Sequence, residues 1–234
     1  PGGARGIQGV DLAVGPGELV VVTGRVGAGK STLLRALLGM LPARGETRWN
    51  GVTVEEPASF LVPPRCAYVA QAPVLFSGTL QENLTLEQPA SDEELEEAIR
   101  AAALDTDLVT FPAGLQTPIG RRGLRLSGGQ AQRLALARLL VLNPQVALLD
   151  DLSSALDPAT EAAILGHLRD RGDLACLAVS HRRGVLAAAD RIVVLREGRV
   201  EAAGSLSELL RDSAELRAIW HGEDDPEPVD ARSV

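Results

Sequence analysis

The stretch Gly24-Arg25-Val26-Gly27-Ala28-Gly29-Lys30-Ser31 reads G-x-x-x-x-G-K-S, and its flanks constrain the fold more than any other feature. Ahead of it, Leu19-Val20-Val21-Val22 reads as a buried strand. Behind it, Leu33, Leu34, Leu37 and Leu38 recur at helical spacing, predicting a helix over 30–40. A glycine-rich loop between a buried strand and a helix is the context a phosphate-binding loop requires. Glycines let successive backbone N–H groups close around phosphate oxygens, and the helix N-terminus adds partial positive charge. The predicted nucleotide-binding set is Gly24, Arg25, Val26, Gly27, Ala28, Gly29, Lys30, Ser31 and Thr32. Lys30 would reach the β- and γ-phosphates, and the Ser31 hydroxyl would ligate Mg²⁺. Lys30 is also the only lysine in the chain. It stands where a compact ammonium fits between phosphates better than a planar guanidinium.

Around this unit, strands and helices alternate. Residues 6–14 alternate apolar and polar positions and read as a half-exposed strand, followed by the turn Gly15-Pro16-Gly17-Glu18. Thr47-Arg48-Trp49 and Val52-Thr53-Val54 flank Asn50-Gly51, a strong hairpin signal. Trp49 reads as packing rather than as a ligand platform. After Pro63-Pro64, residues 66–70 read as a buried strand with Gln71 at its end. Ser91 with Glu94 forms a capping box that starts an amphipathic helix to Leu104, and the acid run over 92–97 is its solvated face. Residues 72–142 read as a mostly helical insertion, stopped by Asn143-Pro144.

The pattern then returns to α/β. Residues 146–149 form a buried strand ending in Asp150-Asp151. Asp157 is an N-cap with Pro158 at the first helical position. Residues 174–179 form a strand ending at Ser180-His181, and 191–195 and 199–203 flank Glu197-Gly198 as a hairpin. Ser205 with Glu208 caps a short helix, and another runs to about Trp220. The acidic, proline-containing stretch 222–234 is expected to be disordered. Aromatics are 3% of the chain, so the core must be aliphatic.

Alternating strands and helices imply a mainly parallel sheet, and such sheets bind ligands at the carboxyl ends of their strands. Four polar features fall there: the phosphate loop, Gln71, Asp150-Asp151 and His181. Triphosphate hydrolysis needs Mg²⁺, a held γ-phosphate and an in-line water. Asp150 suits the Mg²⁺ shell together with Ser31 and Gln71. Gln71 can bridge the ion and the water, Asp151 can polarise that water, and His181 can hydrogen-bond the γ-phosphate. Asp151, His181 and Gln71 are therefore the predicted catalytic set.

Together these residues resemble the nucleotide-binding domain of ABC transporters, over nearly the whole chain. Walker A is 24–31 and the Q-loop is at Gln71. The signature is Leu126, Ser127, Gly128, Gly129 and Gln130. Walker B is 146–150, the D-loop is Ser154, Ala155, Leu156 and Asp157, and the switch histidine is His181. All six stand in the family's order. Residues 75–84 and 114–120 look like the exporter branch. The resemblance implies the P-loop NTPase ABC-ATPase fold: an α/β, mainly parallel sheet core with an antiparallel β subdomain and an inserted α-helical subdomain. Its domain would span 1–221, with 72–142 as the helical signature subdomain. It implies ATP and Mg²⁺ as cofactors, and head-to-tail dimerisation in which the signature of one domain completes the site of the other. It also implies a transmembrane transport domain in the same polypeptide, at the cytoplasmic face of a cell membrane.

Three departures matter. Exporters that hydrolyse well usually carry Glu where this chain has Asp151, one methylene shorter, so slow hydrolysis at its own Walker site is expected. That pattern fits the degenerate member of a heterodimer. Pro118 and Arg121 stand where the exporter pattern commonly carries acidic residues. No aromatic lies ahead of the first strand, where the family's adenine-stacking residue belongs. Pro1 is no natural initiator, and the chain is expected to be a piece that begins just after that aromatic.

Other classes fit less well. A net charge of −8 argues against a general nucleic-acid partner. A non-transport ABC ATPase of the DNA-repair type would carry a coiled coil or zinc insert between Gln71 and Ser127, and neither a heptad run nor a Cys cluster is there. A catalytically weak regulatory ATP-binding module is the other alternative, favoured by Asp151. Cys66 and Cys176 read as two buried thiols rather than a disulfide or a metal site.

Overall fold

The sheet is built outward from β1 (Leu19–Thr23), which is buried along its whole length. The computed structural model describes residues 6–120, 123–151 and 156–222. The other strands of this sheet are β4 (Cys66–Val69), β7 (Val146–Asp150), β8 (Ala175–Val179), β9 (Arg191–Arg196) and β10 (Arg199–Gly204). They lie in the order β10-β9-β1-β8-β7-β4. All neighbours are parallel except β10, which returns antiparallel to β9. Both faces are covered, which explains the near-continuous apolar runs of its central strands.

Side-chain alternation divides the core into two layers. Val20, Val22, Cys66, Leu148, Leu177 and Val179 face one side, with Leu33 and Leu34 of α1 (Lys30–Leu37). Leu19, Val21, Val69, Leu149, Cys176 and Ala178 face the other. There they meet Leu134 and Leu136 of α6 (Gly128–Val141) and Ile164 of α7 (Pro158–Asp170). Cys66 and Cys176 thus lie on opposite faces of the sheet, as two free buried thiols that burial pushes up to about 12.

The expected hairpins are present, with tighter bounds. β2 (Arg48–Trp49) pairs antiparallel with β3 (Val52–Thr53) around Asn50 and Gly51, both at positive φ. Trp49 packs edge-on against Phe60 of α2 (Pro57–Phe60) at 5.8 Å between ring centroids. The first helix ends at Leu37 rather than at 40. Residues 6–14 are the clearest correction, since they form no strand. Gly9 turns the chain to positive φ, and one backbone bond, Gln8 N–H to the Gly198 carbonyl (2.8 Å), replaces a ladder.

Between β4 and β7 the chain is mostly helical. β5 (Gly78–Thr79) leads into α3 (Leu80–Thr85), followed by α4 (Asp92–Ala101), α5 (Asp105–Leu108), a 3-10 turn over Gly114–Gln116 and β6 (Pro118–Ile119), antiparallel to β5. The Ser91–Glu94 capping box starts α4 as expected, although that helix ends at Ala101 rather than reaching Leu104. Asp157 caps α7, accepting from Ala159 N–H and Thr160 N–H, with Pro158 at the first helical position. α8 (Arg183–Ala188) crosses between β8 and β9. Ser205–Glu208 boxes the start of α9 (Leu206–Asp212), and α10 (Ala214–His221) ends at Gly222 in the left-handed conformation. Beyond Gly222, the expected acidic tail lies outside the described residues.

Candidate functional site

Parallel register brings the site together. Val22 pairs with Val179, and Asp150 with Val179, so the carboxyl ends of β1, β7 and β8 emerge side by side. The loop after β1 leaves through Gly24 at φ 145, where a Cβ would sit 2.2 Å from the Leu195 carbonyl oxygen. Only glycine fits that approach. Gly29, at φ 104, is the N-cap of α1 and supplies no side chain, which leaves the first-turn N–H groups facing outward. The predicted residues 24–32 therefore run without a break from the glycine loop into the first turn of α1.

Lys30 folds back over this loop. Its ammonium donates to the Gly24 carbonyl and, at 2.9 Å, to the Arg25 carbonyl. Burial pulls its pKa below the ordinary lysine value, and the carboxylates of Asp151 and Asp150 oppose that shift. Ser31 Oγ donates to Asp150 Oδ1 at 2.8 Å. Tyr68 of β4 donates to Asp150 Oδ2 at 3.0 Å. Burial also raises the Tyr68 phenol, so it stays a donor at neutral pH. Asp150 itself is fully buried. A hydroxyl and one carboxylate meeting at hydrogen-bond distance beside a phosphate loop form a hard oxygen set. Mg²⁺ takes one or two such protein oxygens and completes its shell with phosphate and water.

Asp151 follows with a left-handed backbone, φ 51, a conformation Asp tolerates better than most residues. Its N–H donates to the Val179 carbonyl at 3.2 Å, and its Oδ2 accepts from Gln71 Nε2 at 3.2 Å. His181 is exposed just past β8. Glu161 of α7 is a buried carboxyl that accepts from Arg182 at 3.1 Å. Burial raises the Glu161 pKa; Arg182 lowers it, Asp151 raises it and His181 lowers it. Gln71, Asp150, Asp151 and His181 thus gather at one edge of the sheet with Lys30 and Ser31.

The predicted signature lies elsewhere, at the head of α6. Ser127 is its N-cap: Ser127 Oγ accepts from Gln130 N–H, and Gln130 Oε1 accepts from Ser127 N–H at 2.9 Å. Gln130 Nε2 donates to Asp107 Oδ1 at 3.3 Å, and Arg133 clamps the same carboxylate through two bonds of 2.7 and 3.1 Å. Among the described residues, no hydrogen bond of Ser127 or Gln130 reaches the phosphate loop. Leu156 is buried and Asp157 caps α7, while Ser154, Ala155 and Arg121 lie outside the described residues.

Sequence reasoning missed several partners: Tyr68 on Asp150, Glu161 with Arg182, Asp107 with Arg133, and Glu215 on Arg25 (3.0 Å). Each joins segments far apart in the chain. Only Tyr68 left a signal, as the one tyrosine, three residues before Gln71 on a buried strand.

A family model described as ABC transporter matches residues 7–154. The chain is 37% identical over 230 residues to the ABC transporter ATM1 of Toxoplasma gondii, covering 96% of this chain and 20% of that protein. It is 34% identical over 217 residues to the multidrug resistance-like ATP-binding protein MdlA of Escherichia coli, covering 92% and 37%. It is 35% identical over 217 residues to the mycobactin import ATP-binding/permease protein IrtB of Mycobacterium tuberculosis, covering 92% and 38%. Among solved structures, a bacterial Atm1-family ABC exporter with ATP bound matches with a TM-score of 0.84 and 34% identity, over 94% of this chain and 39% of that one. The chain therefore spans between 20% and 39% of the length of these proteins.

Proposed function

The chain belongs to the ABC transporter family, and from that premise we propose that it is the ATP-binding and ATP-hydrolysing domain of a membrane transporter, slow at its own Walker site. The domain is taken as 1–221, with 72–142 as its helical signature subdomain. The observation that carries this reading is the convergence of the Lys30 ammonium and the Ser31–Asp150 contact (2.8 Å) at the carboxyl ends of β1 and β7.

In this reading the N–H groups at the head of α1 hold the phosphates of ATP. Lys30 leaves the Gly24 and Arg25 carbonyls and turns to the β- and γ-phosphate oxygens, trading two neutral acceptors for anionic ones. Ser31, Asp150 and Gln71 would hold Mg²⁺, which neutralises charge on those oxygens. Tyr68 keeps Asp150 aimed by occupying its second oxygen. Gln71 orients the attacking water, Asp151 accepts its proton, and His181 donates to the γ-phosphate. Asp151 is the weak part. Its carboxylate is short, its backbone is already turned to positive φ, and its Oδ2 is engaged by the Gln71 amide. General-base catalysis tolerates little such displacement.

The signature loop has no use in this chain's own site. Its N–H groups and the Ser127 hydroxyl would complete the site of a second ABC domain, so ATP would join the two and its hydrolysis release them. Leu156 and Asp157, with Ser154 and Ala155, would line that joint. The transmembrane domain would dock near the exposed Val74 and Phe76 that follow Gln71. Arg138 of the signature helix binds the carbonyls of Val74 and Asn83 and lies over the Phe76 ring, so that surface is tied mechanically to the signature. In this reading the domain works at the cytoplasmic face of a membrane. The names of relatives include both a multidrug resistance protein and an import protein, so transport direction and cargo belong to the membrane part.

The decisive experiment compares ATP turnover of the assembled dimer with its Asp151→Glu variant. A gain of about tenfold is expected if one methylene limits the reach to water. Equal rates would remove the slow-site reading and leave Asp151 as a sufficient base.

A further inference from the structure

We infer that the C-terminal helix α10 braces both lips of the nucleotide site, with Glu215 acting as a positioning residue for ATP through Arg25. The inference rests on the reading of 24–32 as the ATP loop. α10 is a fixed platform: Leu216 and Ile219 are buried, and Ser213 N-caps it while donating to Glu201 of β10 at 3.0 Å. From that platform Glu215, 5% exposed, accepts from Arg25 Nε at 3.0 Å. A carboxylate so buried holds its geometry only with a partner, and Arg25 is that partner. The Arg25 backbone carbonyl is in turn one of the two that receive Lys30. Glu215 therefore anchors the peptide against which the phosphate-binding lysine is parked.

The same helix reaches the opposite lip. Arg183, two residues after His181, donates through Nε to the Trp220 carbonyl, and its guanidinium lies 5.6 Å from the Trp220 ring centroid. One helix thus contacts the loop that holds the phosphates and the segment that carries His181. Within one chain these lips lie on different strands, β1 and β8. The ladder between them fixes the strands, and α10, outside the sheet, ties the segments that leave their carboxyl ends, at Arg25 and Arg183.

The test is a double-mutant cycle on ATP affinity, read by equilibrium binding of a fluorescent ATP analogue, with Arg25→Ala, Glu215→Gln and the pair. Glu215→Gln keeps the shape and removes the charge. It is expected to weaken binding about fivefold, at the low end of couplings between linked sites. If Glu215 acts through Arg25, the double variant binds no worse than the weaker single one. A second arm uses Arg183→Met, which is expected to lower turnover severalfold with ATP affinity unchanged. Additive losses in the cycle, wild-type affinity in Glu215→Gln, or wild-type turnover in Arg183→Met would each overturn the brace. Failure of the wild-type chain to bind ATP would instead overturn the underlying functional reading, so the two failures are distinguishable.

Discussion

The nucleotide-loop edge and the signature end are both helix N-termini preceded by glycine-rich or serine-capped turns, yet they are built in opposite ways. At the first, groups from β1, β4, β7 and the loop beyond β8 converge, and Asp150 has both carboxylate oxygens occupied by Ser31 and Tyr68. At the second, the polar network stays local. The Ser127–Gln130 box is held from behind by Asp107 and Arg133, and its outward groups meet nothing in the described chain. A site that does chemistry on its own nucleotide needs convergence from several strands. A surface offered to another molecule needs only rigid backing. On the proposed function, the difference separates one site from one half-site.

That contrast can be broken from either end. The largest effect is expected at the nucleotide loop. Lys30→Ala should lower ATP turnover by about 10²–10³-fold, the usual scale for losing a charged transition-state donor, measured as phosphate release. A smaller loss would mean that the loop amides alone hold the triphosphate.

At the other end, Asp107→Ala leaves Arg133 and Gln130 without their shared carboxylate. It should cost about 1–3 kcal/mol of stability in denaturant unfolding. The affinity of the chain for its own ATP should stay within about twofold, since well-separated sites act independently. A parallel fall in ATP affinity would show that the two ends are coupled within one chain and that the half-site description is wrong.

The smallest effect is a pH dependence confined to the loop. Burial holds the Lys30 pKa below the ordinary value, and an incoming triphosphate pulls it back up, so binding takes up a proton on the alkaline side. ATP affinity should therefore fall with rising pH before the ordinary lysine value of 10.5 is reached. Stability of the ligand-free chain moves the other way. Over the window between the lowered pKa and 10.5, the unfolded chain binds more protons, so stability rises with pH. Calorimetric titrations from about pH 7 to about pH 10 would read the first trend, and a flat profile would mean Lys30 does not meet the phosphates.

Much of this was legible in the residues. The apolar runs that became β1, β7 and β8 are short and continuous, as strands buried on both faces are, and the capping pairs Ser91–Glu94 and Ser205–Glu208 formed as their spacing required. Residues 6–14 misled because alternation alone does not create a partner strand. With Gly9 at positive φ, only one backbone bond to Gly198 formed. The Asp151 departure was visible as a residue type, but its left-handed backbone and its bond to Gln71 were not.

By itself, the order of the motifs determined the family, the fold class and which residues belong to the phosphate loop. These depend on local spacing, and a strand–loop–helix unit is specified within a dozen residues. Tertiary structure alone decided that Tyr68 supports Asp150, that Asp107 backs the signature, and that Glu215 of the last helix holds Arg25 of the first loop. Those contacts join segments tens to nearly two hundred residues apart. No local propensity encodes them, because which strands become neighbours is settled only when the whole sheet packs.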